Sequence, residues 1–238
     1  MKLKSDIIDH NNFIGGRYSV LSEVGMLPVE LMGLDSRKFK RFDDLATNKK
    51  FLNSLIINVS NILELVKRKK FNSVILNYDE TADNFLKWYQ QLVAESLGKK
   101  GNGIFPIISN MPKDNHSLMQ LYLDGNKNNF YTFFYTKDRN YPKLNQDMIP
   151  GSLKFLKRKD LGDILYSKIL ATKKVFQKKN IPFRSFFIKS KNEEVLGELF
   201  TYFILETILL ARALKINPYD QPAVELIKIE TKKILKKS

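Results

Sequence analysis

Short segments with the composition of β-strands alternate along this chain with longer segments that show helical periodicity. The strand-like segments are rich in β-branched and aromatic residues and cover about 71–78, 103–109, 129–136 and 181–189. The segments between them are long enough for the crossover connections that parallel strands require. The pattern therefore predicts an α/β fold, a doubly wound parallel sheet with helices on both faces.

The helical segments follow from apolar residues at intervals of three and four positions. They are predicted at 19–32 with an interruption at Pro28, and at 36–70, 81–97, 115–123, 160–179, 193–216 and 220–237. Open parallel sheets bind ligands outside the carboxyl ends of their strands. We therefore expect the loops that follow the predicted strands to matter most for function.

The net charge of +15 raises the question of nucleic-acid binding. The excess is almost entirely lysine, with only eight arginines, and arginine is preferred for bidentate recognition of bases and phosphates. The lysines are spread along the chain, with small runs at 67–70 and 232–237. A basic nucleic-acid-associated protein therefore stays a third alternative, which a one-sided lysine patch would favour. The interpretation we prefer includes no nucleic-acid partner.

Other classes of protein and site are disfavoured by what the sequence contains. It has no cysteine, which excludes disulfides and thiolate metal sites, and its two histidines, His10 and His116, make a histidine-rich metal site improbable. Residues 1–14 show no apolar signal region. The most apolar stretch, 199–214, contains Glu206 and Arg212 and is shorter than a bilayer span, so it is interpreted as a buried helix. We expect a cytoplasmic chain without a membrane partner.

Two motifs carry residue types suited to chemistry. Residues 15–25 read GGRYSVLSEVG, in which two glycines permit an unusual backbone path and Arg17 offers a fixed cationic fork. Residues 217–228 read NPYDQPAVELIK, in which Gln221 lies at a predicted helix start and Lys228 follows two turns later on the same face. Taken singly, each motif also fits a purely structural role. The first fits a tight turn with a solvated arginine, and the second fits a proline-initiated helix with an exposed lysine.

Taken together, the two motifs resemble the signature regions of the glucose-6-phosphate isomerase family. That family has a Gly-Gly-Arg-aromatic-Ser segment ending in glycine, followed near its C-terminus by Asp-Gln-Pro-Gly-Val-Glu-Leu-Gly-Lys. Here Ala223 and Ile227 replace the two glycines of the second segment, while Gln221, Glu225 and Lys228 are kept. The order of the two segments is also the same.

The middle of the chain resembles the shorter bacterial forms of the same family. Residues 88–99 read WYQQLVAESLGK and residues 114–125 read DNHSLMQLYLDG. The bacterial forms have a Gln-Leu-x-x-Glu-Ser-x-Gly-Lys helix end followed by an Asp-x-His-Ser-x-x-Gln helix. By this resemblance Glu95 matches the catalytic base and His116 matches the ring-opening histidine. The Gly-Glu-Pro-Gly-Thr-Asn-Gly-Gln segment that holds the base in the longer forms is absent here.

The resemblance implies reversible isomerisation of glucose 6-phosphate and fructose 6-phosphate through an enediolate, in glycolysis and gluconeogenesis, without cofactor or metal. Glu95 would move the proton between C1 and C2, and His116 would open the sugar ring. Arg17 would stabilise the enediolate by its charge. Gln221 and Lys228 would hold sugar hydroxyls, and Lys228, near the ring oxygen, would also be a catalytic residue that acts with His116 in ring opening. The resemblance also implies a homodimer in which His116 completes the partner's site.

Family members are considerably longer and have two sugar-isomerase (SIS-type) lobes, with the substrate phosphate held by a Ser-Lys-x-x-Thr-Thr run in the first. No such run occurs in this sequence. We therefore expect 1–35 to be the end of the first lobe and a connecting segment, 36–216 the second lobe, and 217–238 a C-terminal active-site helix, with the phosphate-binding lobe absent. A fragment, truncated gene or split subunit of this kind is expected to be inactive or nearly so alone.

The alternative within the same fold is a non-catalytic module that binds sugar phosphates. A binding module needs no proton shuttle, so the presence of Glu95 and His116 favours the enzyme.

Overall fold

The computed structural model describes residues 7–137 and 141–236, and within them one four-stranded sheet forms the centre of the fold. Its strands are β1 Asn72–Asn77, β2 Phe105–Asn110, β3 Asn129–Thr136 and β4 Phe183–Ile188. The strand order is β2-β1-β3-β4, and every neighbouring pair is parallel. The predicted fold class and all four predicted strand positions are confirmed. The first six residues of the predicted segment 1–35, and the ends of the lysine run 232–237 and of the predicted helix 220–237, lie outside the described residues.

Ten α-helices accompany the sheet in the described part of the chain. They are α1 Glu23–Leu31, α2 Ser36–Phe39, α3 Phe42–Thr47, α4 Lys49–Lys67, α5 Asp83–Leu97, α6 Asp114–Ser117, α7 Met119–Asp124, α8 Leu161–Lys178, α9 Glu193–Ala213 and α10 Pro222–Leu235. Short 3₁₀ helices span Gly16–Leu21, Glu80–Ala82, Gln146–Met148 and Gly151–Leu156.

Three helix predictions need correction. The predicted helix 115–123 is two short helices, α6 and α7. The predicted helix 36–70 is three helices, α2, α3 and α4, because the backbone leaves the helical conformation at Lys40 and because Asn48 accepts the Phe51 N–H and starts a new helix. Pro28 lies inside α1 and does not interrupt it. Met26 and Val29, on either side of this proline, are buried against Phe39, so tertiary packing outweighs the intrinsic cost of the proline.

Alternation of side chains along the strands divides the apolar interior into two layers. Val74 and Leu76 of β1 pack on the side that carries α7 and α8, where Phe176 is fully buried. Ile75 points to the opposite side and packs with residues of α4, α5 and α9. Each fully buried aliphatic or aromatic side chain contributes about 1.5–3 kcal/mol, so both layers are needed to hold the sheet. The prediction of helices on both faces is confirmed.

The most apolar stretch of the sequence lies mainly in α9, which begins at the cap residue Asn192 and buries Leu199, Phe203 and Leu210. This agrees with the interpretation of that stretch as a buried helix. No helix within the described ranges is long and apolar enough to span a bilayer.

The carboxyl ends of β1 and β3 meet at a buried carboxylate. Asp79 is 1% exposed and accepts hydrogen bonds from Thr136 Oγ1 at 2.6 Å, Lys191 Nζ at 2.7 Å and Thr81 Oγ1 at 2.8 Å. Burial alone would raise the pKa of Asp79, but the hydrogen bonds from Lys191, Thr136 and Thr81 outweigh burial and lower it.

Replacing Asp79 with asparagine is expected to remove part of the acid sensitivity of folding. A carboxyl whose folded-state pKa is lowered stabilises the fold above its unfolded pKa of about 3.9, and this contribution is lost as the pH falls through the folded pKa. The free energy of unfolding, measured with urea from pH 7 to pH 3, should therefore fall less steeply in Asp79→Asn than in the wild type. Asp124→Asn, at an exposed aspartate, should keep the wild-type slope. Identical slopes for Asp79→Asn and wild type would contradict the assignment.

Candidate active site

The direction of α5 brings the segment 88–99, which contains Glu95, to the amino edge of the sheet. At the start of α5, Asp83 accepts a hydrogen bond from Asn77 at the carboxyl end of β1. Further along, Gln90 donates to the carbonyl of Pro106 at the amino end of β2. Glu95, in the last turn of α5, therefore lies at the amino edge. The expectation that the functional residues follow the carboxyl ends of the strands is wrong for this residue.

Arg17 joins three distant parts of the chain at this edge. It lies in the 3₁₀ helix Gly16–Leu21 and is 3% exposed. All five of its guanidinium N–H groups donate: Nε to Ser96 Oγ at 2.9 Å, Nη1 to Glu95 Oε2 at 3.1 Å and Gln221 Oε1 at 3.0 Å, and Nη2 to the carbonyls of Pro218 at 2.6 Å and Asp220 at 3.1 Å. We call this group of residues the Arg17 cluster.

Glu95 is held from two sides and still reaches solvent. Its Oε2 accepts from Arg17, and its Oε1 accepts from Gln91 Nε2, one helical turn earlier, at 3.0 Å. The side chain is 28% exposed and lines a cavity of about 430 Å³ together with Lys99, Asp220 and Gln221. A fixed carboxylate that faces an open cavity has the placement that a proton-transfer group requires.

Three further polar contacts in the cluster were not singled out from the sequence. Ser96 is fully buried, and Tyr18 Oη shares a hydrogen bond with its Oγ at 2.9 Å while also donating to the Pro218 carbonyl at 3.2 Å. Burial raises the pKa of the Tyr18 hydroxyl. Trp88 Nε1 donates to the Arg17 carbonyl at 3.0 Å. Position in the sequence could have indicated two of these residues, since Tyr18 directly follows Arg17 and Ser96 directly follows Glu95.

The glycines of the first motif have different roles from those predicted. Neither Gly15 nor Gly16 has a positive φ, so the expected unusual backbone path is wrong. A Cβ at either position would meet no atom of the described chain within 4 Å. At Gly25, in contrast, a Cβ would lie 2.0 Å from the Val20 carbonyl oxygen. The last glycine of the motif is therefore required for α1 to pack against the 3₁₀ turn that carries Arg17.

The second motif reaches the cluster through Gln221 but not through Lys228. Gln221 immediately precedes α10, as predicted, and its side chain accepts from Arg17. Lys228 lies about 10 Å further along the helix. It is exposed and pairs with Glu225 at 2.6 Å.

His116 lies at the opposite edge of the sheet. It belongs to α6, which is held on the carboxyl end of β2 because the Asp114 carboxylate accepts from Ser109 Oγ at 2.9 Å and from the Asn110 N–H at 2.7 Å. The whole length of β2, about 17 Å, separates this end from the turn that contains Glu95. Because of this separation, one copy of the chain does not bring His116, which is exposed, to its own Glu95.

Neither edge of the sheet carries a set of metal ligands among the described residues. Among residues 7–137 and 141–236, no group of three or more histidine, aspartate or glutamate side chains could hold a metal ion. The arrangement at the amino edge is instead a carboxylate, a buried guanidinium and an amide, all held by hydrogen bonds.

Curated proteins similar to this chain are named glucose-6-phosphate isomerases. No family model matches the chain. It is 32% identical over 240 residues to the glucose-6-phosphate isomerase of Methanocaldococcus jannaschii, an alignment that covers 96% of this chain and 57% of the relative. It is 33% identical over 240 residues to the glucose-6-phosphate isomerase of Mycoplasmopsis pulmonis, covering 94% of this chain and 54% of the relative. The chain thus spans about half the length of the curated relatives it matches.

Solved structures show the same fold. A hypothetical protein from Thermus thermophilus superposes with a TM-score of 0.81 at 26% identity, covering 93% of this chain and 55% of that one. A glucose-6-phosphate isomerase from Chlamydia trachomatis superposes with a TM-score of 0.73 over 93% of this chain and 47% of that one. At 15% identity, the second comparison supports the fold alone.

Proposed function

Because the chain is homologous to glucose-6-phosphate isomerases over more than nine-tenths of its length, we propose that it is the C-terminal part of such an isomerase, in glycolysis and gluconeogenesis. In this proposal residues 1–35 end the first lobe, 36–216 form the second SIS-type lobe and 217–238 supply the C-terminal active-site helix. The part carries most of the proton-transfer residues, and the whole enzyme interconverts glucose 6-phosphate and fructose 6-phosphate through an enediolate.

The observation that carries the proposal is the meeting of three motifs at one guanidinium. Arg17, Glu95 and Gln221 come from three segments separated by 78 and 204 residues along the chain, yet they are joined by two hydrogen bonds. A structural role alone would not require a carboxylate of this group to face a 430 Å³ cavity. A binding module without chemistry would not require it either.

The geometry supports a separate task for each residue. The Glu95 carboxylate takes the proton from one of C1 and C2 and returns it to the other. All five N–H groups of Arg17 are used within the protein, so Arg17 acts on the enediolate through its positive charge rather than by a new hydrogen bond. Gln91 fixes the second oxygen of Glu95, which keeps the carboxylate in one orientation.

The placement of His116 supports a homodimer with shared sites. Glu95 and His116 lie at opposite edges of the same sheet, so a site that needs both takes His116 from a second copy of the chain. In a two-fold dimer each copy would then supply Glu95 to one site and His116 to the other.

Mixing two inactive variants tests both the activity and the sharing. The chain is joined to the remaining part of the Methanocaldococcus jannaschii relative, and this fusion is expected to convert fructose 6-phosphate to glucose 6-phosphate. Glu95→Gln and His116→Ala should each be inactive as homodimers. After unfolding and refolding together, mixed dimers contain one intact site, so about a quarter of the wild-type rate should return.

The control for the mixing experiment is the double variant Glu95→Gln/His116→Ala refolded with either single variant, which should restore nothing. The 238-residue chain alone is the baseline and is expected to be inactive. No conversion by the fusion would contradict the proposed activity. Activity of both single variants together no higher than of each alone would contradict the shared site.

A further inference from the structure

The lysine that follows α5 makes a contact that the proposed chemistry does not use. Lys99 comes directly after Gly98, and its side chain is only 10% exposed. Its Nζ lies 2.7 Å from Asp220 Oδ1 and donates to the Asn217 carbonyl at 2.5 Å. Lysine side chains are rarely buried unless they are paired, and this one joins residues 118 and 121 positions away.

The contact falls on the segment that connects α10 to the rest of the molecule. No described residue of α10 is buried, so the helix itself contributes little to holding its own position. Residues 217–221 are held instead by two cations, with a further hydrogen bond from the Tyr18 hydroxyl to the Pro218 carbonyl. Arg17 binds the carbonyls of Pro218 and Asp220, and Lys99 binds the carbonyl of Asn217 and the carboxylate of Asp220.

We propose that Lys99 is a positioning residue that, through Asp220, fixes Gln221 and the start of α10 beside the Glu95 carboxylate. The inference rests on the proposed function, in which Gln221 binds substrate. Arg17 binds the Gln221 side chain and the carbonyls of Pro218 and Asp220, and Tyr18 also binds the Pro218 carbonyl, but neither residue binds the Asp220 carboxylate. Lys99 supplies an attachment at the Asn217 carbonyl and the Asp220 carboxylate, which restrains rotation of the segment about the contacts with Arg17 and Tyr18.

The charges of the pair agree with this role. The pKa of Asp220 is lowered, mainly by the hydrogen bond from Lys99, so its carboxylate is ionised at neutral pH. Lys100, the next residue, lines the same cavity and is exposed, which makes it a matched control with the same charge and almost the same place in the chain.

Hydrogen–deuterium exchange of the 238-residue chain tests the attachment without reference to activity. Lys99→Met and Asp220→Asn should each speed exchange at residues 217–225 by about 10-fold, the effect of losing one hydrogen bond to a charged group. Lys100→Met should exchange as the wild type does, and Lys99→Arg should restore most of the protection. The double variant Lys99→Met/Asp220→Asn should exchange no faster than either single variant.

Two results of the exchange experiment would overturn the proposal. One is wild-type exchange at 217–225 in Lys99→Met. The other is a rise spread evenly over the chain, which would mean a general loss of stability. In the fusion, Lys99→Met should raise KM about 10-fold with kcat nearly unchanged, because positioning of a substrate-binding group affects ground state and transition state alike. An unchanged KM would also count against it. Full activity of Glu95→Gln would instead contradict the proposed function, while the exchange data would still decide the role of Lys99.

Discussion

Replacing Glu95 with glutamine should lower isomerisation by the fusion by about 10²–10⁴-fold, the usual loss when a general base is removed. Glutamine keeps the size of the side chain and can still accept the hydrogen bond from Arg17, so the cluster should stay assembled. What is lost is the ability to take a proton from the substrate carbon. Loss of the C2 proton to solvent should therefore decrease in parallel with isomerisation.

Proton transfer can be separated from ring opening in one NMR experiment in heavy water. In the proposed function ring opening depends on His116 and Lys228 and not on Glu95, so interconversion of the sugar anomers should continue in Glu95→Gln. His116→Ala should show the reverse bias and slow anomer interconversion more than exchange on the open-chain sugar. Glu64→Gln, at an exposed glutamate of α4, should behave as the wild type. Undiminished deuterium exchange at C2 in Glu95→Gln would show that another carboxylate is the base.

The largest expected effect on stability comes from the buried ion pair between β4 and α9. Glu206 is 1% exposed, and its carboxylate accepts from the Arg184 guanidinium and from the amide of Asn58. Arg184 also donates to Thr132 Oγ1 at 2.9 Å. Burial disfavours the charged form of Arg184 and by itself would lower the pKa of the guanidinium. The neighbouring carboxylate of Glu206 outweighs burial, and the pKa is raised.

Arg184→Met should therefore cost about 3–5 kcal/mol of unfolding free energy, because it leaves the Glu206 carboxylate buried without its cation. The double variant Arg184→Met/Glu206→Leu removes both charges and should recover most of the loss. Arg212→Met, at an exposed arginine of the same α9 helix, should change stability little. Urea unfolding of the 238-residue chain measures all three variants. A double variant as unstable as Arg184→Met would show that the cost lies in packing rather than in the unpaired charge.

The sequence predicted the fold well because the relevant signals are local. The four strands are short and apolar, the helices between them are amphipathic, and the parallel arrangement follows from the length of the connections. The ionic partner of Glu206 was not predictable in the same way. Glu206 could be noticed as a charge in an apolar helix, but Arg184 lies in a strand, and only the packing of α9 on the sheet brings them together.

The site was predictable in its residue types but only partly in its geometry. Arg17, Glu95 and Gln221 do meet, yet they do so at the amino edge, because α5 runs antiparallel to the strands and returns the chain there before Glu95. The contacts of Lys99 and Ser96 span 79 to 121 residues and depend on how the chain closes on itself. No periodicity in a single sequence encodes such distances.

The hydrogen bond from Trp88 to the Arg17 carbonyl has a practical consequence, because Trp88 is the only tryptophan of the chain. Its indole also lies 4.8 Å from the Phe200 ring, centroid to centroid, so its surroundings combine a polar contact with an apolar wall. Light absorbed selectively by tryptophan therefore excites one group, one hydrogen bond away from the residue that joins the three motifs. Trp88 is therefore an intrinsic fluorescent probe of the Arg17 cluster. The wavelength and lifetime of its emission report on the surroundings of the Arg17 carbonyl without an added label.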